Sequence, residues 1–167
     1  VFLAHNSPFL SRNRDGKPLI TDSVVVGNND ADTVKFTPDA VFSIHDTLHN
    51  QRVLFFLEVD CGTETVVSPK RDSTDVRQKI INYQSYFRSG RYKRYENYWK
   101  CKLNGFRLLI LTNTESRLIS LCRLVQEMPP SYFVWLSEHK KIISEGLHTR
   151  IWVRGGRQNL PLCSILG

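Results

Sequence analysis

The chain has 167 residues, 41% hydrophobic and 23% charged, which supplies enough apolar material for one real core and excludes an intrinsically disordered chain. No apolar run approaches the ~18 residues that cross a bilayer, so a soluble, cytoplasmic, single domain over residues 1–167 without a membrane partner is expected. The formal charge of +7 favours a polyanionic partner.

Residues 1–18 are polar with scattered Pro and Gly, and Arg14, Asp15, Gly16 and Lys17 read as a turn in a loose lead-in to a core over 19–153. The start at Val1, without a signal-peptide pattern, reads as the start of a fragment. A β-branched run at 19–26 predicts a first strand, ended by Gly27, Asn28, Asn29 and Asp30. Strands are predicted at 40–44 and 52–60, joined by a polar connection as an antiparallel hairpin.

At 74–88, Val76, Ile80, Tyr83 and Phe87 recur at helical spacing, with Ser73 or Thr74 as the cap and Gly90 as the stop. The continuous apolar run at 106–111 predicts a strand buried on both faces. Leu118, Leu121, Cys122 and Val125 mark one face of a following helix that Pro129-Pro130 ends. A strand at 132–136, a short helix at 138–145 and a last strand at 149–153 complete an α/β chain with a mixed central sheet flanked by helices.

The four cysteines, Cys61, Cys101, Cys122 and Cys163, include no C-x-x-C pair, which argues against a zinc finger. The even count permits two disulfides, but Cys122, in an apolar helical pattern, reads more readily as a buried free thiol. If the hairpin turns about the middle of its connection, facing residue numbers sum to 97: Ile44 faces Val53, Phe42 faces Phe55 and Ala40 faces Leu57. Asp39 then faces Glu58, and period two brings Asp60 to the same side. Three converging carboxylates repel one another unless a proton or a cation intervenes, and hard oxygen ligands suit Mg²⁺ or Mn²⁺. The plainer alternative is that these acids mark exposed strand ends.

Pro38-Asp39, followed after a strand by Glu58-Val59-Asp60 and a helix, resembles the elements of the PD-(D/E)XK, restriction-endonuclease-like fold. More narrowly, Phe36-Thr37-Pro38-Asp39-Ala40-Val41-Phe42, then Phe56-Leu57-Glu58-Val59-Asp60-Cys61-Gly62-Thr63-Glu64, then Gln78-Lys79-Ile80 with Tyr83 look like the replication-relaxation family of plasmids and mobile elements. The resemblance implies a role in plasmid replication or conjugative transfer, often with an upstream winged-helix segment, which is not visible here. It also implies a divalent metal on Asp39, Glu58 and the Val59 carbonyl. The strand lysine of that pattern is replaced by Asp60, which leaves Lys79 on the next helix as the best substitute, with Gln78 and Tyr83 as support on that helix; the alternative for Lys79 is an ordinary solvated surface lysine.

Between residues 87 and 102 lie Arg88, Arg91, Lys93, Arg94, Lys100 and Lys102 against the single acid Glu96. Tyr92, Tyr95, Tyr98 and Trp99 interleave with them, so rings can stack on bases while cations meet phosphates. The alternative is an amphipathic helix whose aromatics are core; half-buried rings with cations facing DNA are expected. His45 and His49 read as exposed loop residues, and Gly155-Gly156 with Arg154 and Arg157 as a basic turn adding to the DNA-facing charge. No phosphate-cradling Gly-x-x-x-x-Gly-Lys-Ser/Thr loop is present. Two functions are therefore expected ahead of others: a Mg²⁺- or Mn²⁺-dependent endonuclease-like domain acting on DNA, or a catalytically silent DNA-binding module of the same fold. A third is an interaction domain for replication or transfer proteins.

Overall fold

A computed structural model describes residues 33–62, 65–66 and 75–166, with four short strands before them. The turn expected at Arg14 to Lys17, the Gly27 to Asp30 cluster and the caps Ser73 and Thr74 lie outside the described residues. The short strands are β1 (Phe2–Leu3), β2 (Ser11–Arg12), β3 (Pro18–Leu19) and β4 (Asp22–Val25). β5 (Thr33–Phe36) pairs antiparallel with β4, so the strand expected over 19–26 is divided between β3 and a β4–β5 hairpin. Its second arm has the alternation Thr-Val-Lys-Phe, which the sequence reading passed over.

β6 (Ala40–Asp46) and β7 (Gln51–Asp60) form the expected hairpin in the expected register, from Ala40↔Leu57 to Asp46↔Gln51. The connection is tied by Asp46, whose Oδ1 accepts from the N–H groups of Leu48 and His49. His49 Nδ1 lies 2.6 Å from Asp46 Oδ2, and this side-chain bond leads the effects that hold the Asp46 carboxyl below the usual carboxylate range. His49, in the connection, is exposed as expected; His45 is exposed too, but it belongs to β6, where it pairs with Arg52, because the strand runs two residues further than expected.

The strand order β1-β6-β7-β8-β9-β10 is completed by β8 (Phe106–Thr112), β9 (Val134–Glu138) and β10 (Val153–Arg154). Pairing is antiparallel for β1/β6, β6/β7 and β9/β10 and parallel for β8/β9, a mixed sheet with helices packed on β9. The helices are α1 (Val76–Ser89), α2 (Tyr95–Trp99), α3 (Glu115–Gln126) and α4 (His139–Glu145), with a 3-10 turn at Arg91–Arg94. Backbone contacts divide the chain into two compact units, residues 1–57 with 81–107 and residues 58–80 with 108–167.

The first unit is built on aromatic rings. Phe56 is fully buried, and the rings of Tyr83, Tyr86, Tyr95 and Phe106 stand 4.9–5.8 Å from it, mostly edge-on, the arrangement that the ring quadrupoles favour. Gly90, with φ of 68°, ends α1 in the left-handed conformation that glycine adopts without strain.

In the second unit, α1 starts later than expected because Asp75 is its cap: Asp75 Oδ1 accepts from the Gln78 N–H at 2.7 Å. The carbonyls of Thr65 and Val66 accept from the next free donors, Val76 and Arg77. α3 is capped by Thr114, whose Oγ1 accepts from the Arg117 N–H. The face of α3 carrying Leu118, Leu121, Cys122 and Val125 is buried, and the helix packs on β9. Burial pushes the Cys122 thiol up to about 11. The strand expected over 149–153 shrinks to Val153–Arg154 plus a bridge from Trp152 to Cys163, because a turn closed by Thr149 N–H to Gly146 O occupies its beginning. Among the described residues, no helix is long and apolar enough to cross a membrane.

Candidate functional site

β7 runs out on Glu58-Val59-Asp60, and strand alternation decides the fate of the three side chains. Glu58 and Asp60 turn inward to 8% and 6% exposure, while Val59 is exposed. A carboxylate at that depth needs a counter-charge. Each of the two has one, and both cations come from the first turn of a helix.

Lys79 stands one turn into α1, where its own N–H donates to the Asp75 carbonyl and the Asp75 cap fixes the start of the helix. From there its Nζ donates to Glu58 Oε2 at 3.2 Å. Arg117 lies in the first turn of α3, three residues after its cap, and its Nε and Nη2 donate to Asp60 Oδ2 and Oδ1 at 2.6 and 3.1 Å, a bidentate pair. The chain beyond Asp60 is drawn to the same helix start. Asn113 Nδ2 donates to the Cys61 carbonyl at 2.9 Å, and the Gly62 N–H donates back to Asp60 Oδ1 at 3.0 Å. Gly62 has φ of 78°, a conformation that side-chain-bearing residues adopt only with strain, and a Cβ there would also crowd the Asn113 amide.

A further buried acid, Glu138, ends β9 beside Thr112 of β8 in the parallel register. Lys140 Nζ lies 2.8 Å from its Oε2. The sequence pattern puts Glu138 at the start of the short helix expected over 138–145, whereas it is the last residue of β9.

Of the residues expected to act together, Glu58 and Lys79 meet. Asp60 is committed to Arg117, which the sequence reading did not nominate. Asp39 is exposed, and its N–H donates to the Leu57 carbonyl at 3.0 Å, extending the hairpin bonding. Gln78 contributes its N–H to the Asp75 cap, and the Tyr83 ring lies in the aromatic core at 1% exposure.

No group of three or more His, Cys, Asp or Glu side chains stands ready to hold a metal ion among the described residues. The donor chemistry explains part of this. Both oxygens of Asp60 already accept from a guanidinium, so Asp60 does not fit as a cation ligand, whereas Glu58 is a hard oxygen donor of the kind Mg²⁺ or Mn²⁺ takes.

The basic segment lies in the first unit. Arg88, Arg91, Lys93, Arg94 and Lys100 are all exposed. The rings between them divide differently from the expected half burial: Tyr92, Tyr95 and Trp99 are buried, and only Tyr98 is open, at 41%. Tyr95 stacks on Trp99 at 5.4 Å and carries the Arg94 guanidinium over its ring at 5.0 Å, so it serves the core rather than a base. Positions 92, 95 and 99 fall on one side of the short helical turns, and the core claims that side. Burial, then the charge of Glu96, raises the Tyr92 hydroxyl pKa. Beside this segment a cleft of about 660 Å³ is lined by Arg52, Lys100, Lys102 and Arg107, with Phe87 and no carboxylate among its described lining residues.

Fold and site together define a mixed α/β protein with an acid–lysine pair at a strand end and an exposed basic face. The chain belongs to the replication-relaxation family, whose sequence model matches residues 12–100, just over half its length. The matched stretch takes in Asp39, Glu58, Asp60, Lys79 and the basic segment up to Lys100. Membership associates the chain with the replication or relaxation of plasmids and mobile elements. No curated protein and no solved structure matches it.

Proposed function

We propose that the chain is a DNA-processing protein of a plasmid or other mobile element, with a nuclease-like centre of the PD-(D/E)XK kind in which Lys79 replaces the strand lysine. The supporting observation is the approach of Lys79 Nζ to within 3.2 Å of Glu58 Oε2, from a helix turn fixed by its own cap. An ammonium there, beside a carboxylate largely withdrawn from water, is suited to orient an attacking water and to offset charge developing on a scissile phosphate. Mg²⁺ or Mn²⁺ on Glu58, joined by Asp39 as the resemblance implies, would make a bound water more acidic and further offset phosphate charge.

The other residues have supporting roles. Arg117 holds Asp60, and with Asn113 it fixes the chain as it leaves β7. The exposed cations from Arg88 to Lys100 draw the DNA backbone to the protein through counterion release.

A second reading, a DNA-binding module without cleavage, is favoured by one observation. The residue at the usual lysine position, Asp60, is closed off by Arg117 and adds nothing to a catalytic set.

The test is cleavage of supercoiled plasmid and of single-stranded DNA by the purified chain in Mg²⁺ or Mn²⁺, beside EDTA and the Glu58→Gln, Asp39→Ala and Lys79→Ala variants. Metal-dependent nicking lost in all three variants supports the nuclease reading. Nicking retained by Lys79→Ala removes the relocated lysine, and DNA retention without any cleavage selects the binding module.

A further inference from the structure

The second unit carries a basic feature outside the residues matched by the family, in the turn Arg154-Gly155-Gly156-Arg157. The Arg157 N–H donates to the Arg154 carbonyl at 3.1 Å, and the two glycines between have φ of 60° and 72°. Positive φ at both central positions is the pattern of a type I′ turn, which sets the first and fourth residues side by side.

The turn is held from two directions. The Gly155 N–H donates to the Val134 carbonyl at 2.8 Å, and the Gln126 amide donates to the Gly156 carbonyl. A Cβ on Gly156 would collide with the Cys122 carbonyl of α3.

The two arginines converge on one ring. The guanidinium carbons of Arg154 and Arg157 lie 5.5 and 4.7 Å from the centre of the Tyr132 ring, which is 50% exposed. Both arginines are exposed, and neither has an ion pair among the described residues. Two like charges gathered on one ring repel one another, and the negative face of the ring offsets only part of that. A bound anion would turn the repulsion into attraction. An open cleft of about 520 Å³ beside them is lined by Gln126, Ser131, Tyr132, Gly155 and Arg157 with the two prolines of the preceding turn.

We propose that Arg154, Arg157 and Tyr132 form a second DNA contact, in which paired guanidiniums grip a backbone phosphate and the exposed ring edge lies against the adjoining sugar or base. This rests on the reading that the chain acts on DNA. It adds an anchor on the second unit to the basic segment of the first. Guanidinium forks match the non-bridging oxygens of a phosphodiester, which lysines at the same places do not.

The test is the salt dependence of binding to a short DNA duplex and to its single strand, measured for the whole chain, Arg154→Gln/Arg157→Gln, Arg154→Lys/Arg157→Lys and Lys93→Gln as a control in the basic segment. Loss of the one phosphate that the pair neutralises lowers the slope of log K against log salt by about 0.9 on duplex or about 0.7 on single strand. The glutamine pair is expected to show that drop with an unchanged melting temperature. The lysine pair is expected to keep most of the slope but bind several-fold more weakly. A glutamine pair with the slope and affinity of the unaltered chain overturns the proposal, while loss of slope in Lys93→Gln leaves the DNA-acting reading in place. If the unaltered chain does not bind DNA at all, the functional reading itself fails, and this contact with it.

Discussion

Replacing Arg117 with Met keeps an apolar stem and removes the fork that grips Asp60. The Asp60 side chain is 5% exposed and that of Arg117 15%, so water cannot readily take over the lost hydrogen bonds. What remains on Asp60 is the Gly62 N–H at 3.0 Å. Removing one member of a buried ion pair costs about 3–5 kcal/mol, because the other charge is stranded. That is a large share of the roughly 5–15 kcal/mol that holds a domain together. At about 2–4 °C per kcal/mol for a chain of this size, the expected fall in melting temperature is roughly 6–20 °C. Urea unfolding of the single variants and of Arg117→Met with Asp60→Leu gives the coupling directly, and the double variant is expected to recover much of the loss because no buried charge remains. A loss below about 1 kcal/mol for Arg117→Met, the scale of a surface pair, refutes the argument. Asp60 would then be available to a cation, and Mg²⁺ would be expected to stabilise the Arg117→Met chain more than its parent.

Asp75→Ala removes the cap that fixes the first turn of α1 and is expected to cost about 1 kcal/mol, read from urea unfolding, with a further loss of any Lys79-dependent activity. Cys122 offers a pH test. Its thiol is raised to about 11 in the folded chain from 9.0, so the folded state holds that proton more tightly. The resulting stability is fully present below pH 9 and is lost as pH rises through 11. Between those limits Cys122→Ala is expected to lose less stability than the parent, and the parent thiol to resist alkylation at pH 8 until the chain unfolds; equal pH profiles would show that Cys122 is not the group concerned.

Much of the fold was legible because it is local. The hairpin register followed from alternation on two strands and a short connection, and the sum of 97 holds across the observed pairing. Helical spacing located α1 and α3, and the same spacing put Lys79 on a turn from which it reaches Glu58. The errors arose where one pattern serves two purposes. The spacing of Tyr92, Tyr95 and Trp99 suits a buried stripe and a stacking platform equally, and burial chose the stripe for all three.

By itself, then, the sequence determined the hairpin register, where α1 and α3 stop and that Glu58 and Asp60 stand at a strand end, since those follow from backbone periods and turn chemistry within a few residues. The tertiary structure alone decided which cation each acid meets. Asp60 and Arg117 are 57 positions apart, and no periodicity along the chain records that the start of α3 lies against the end of β7. That pairing is settled when the apolar faces pack, and it left Asp60 bound to Arg117 and Glu58 beside Lys79.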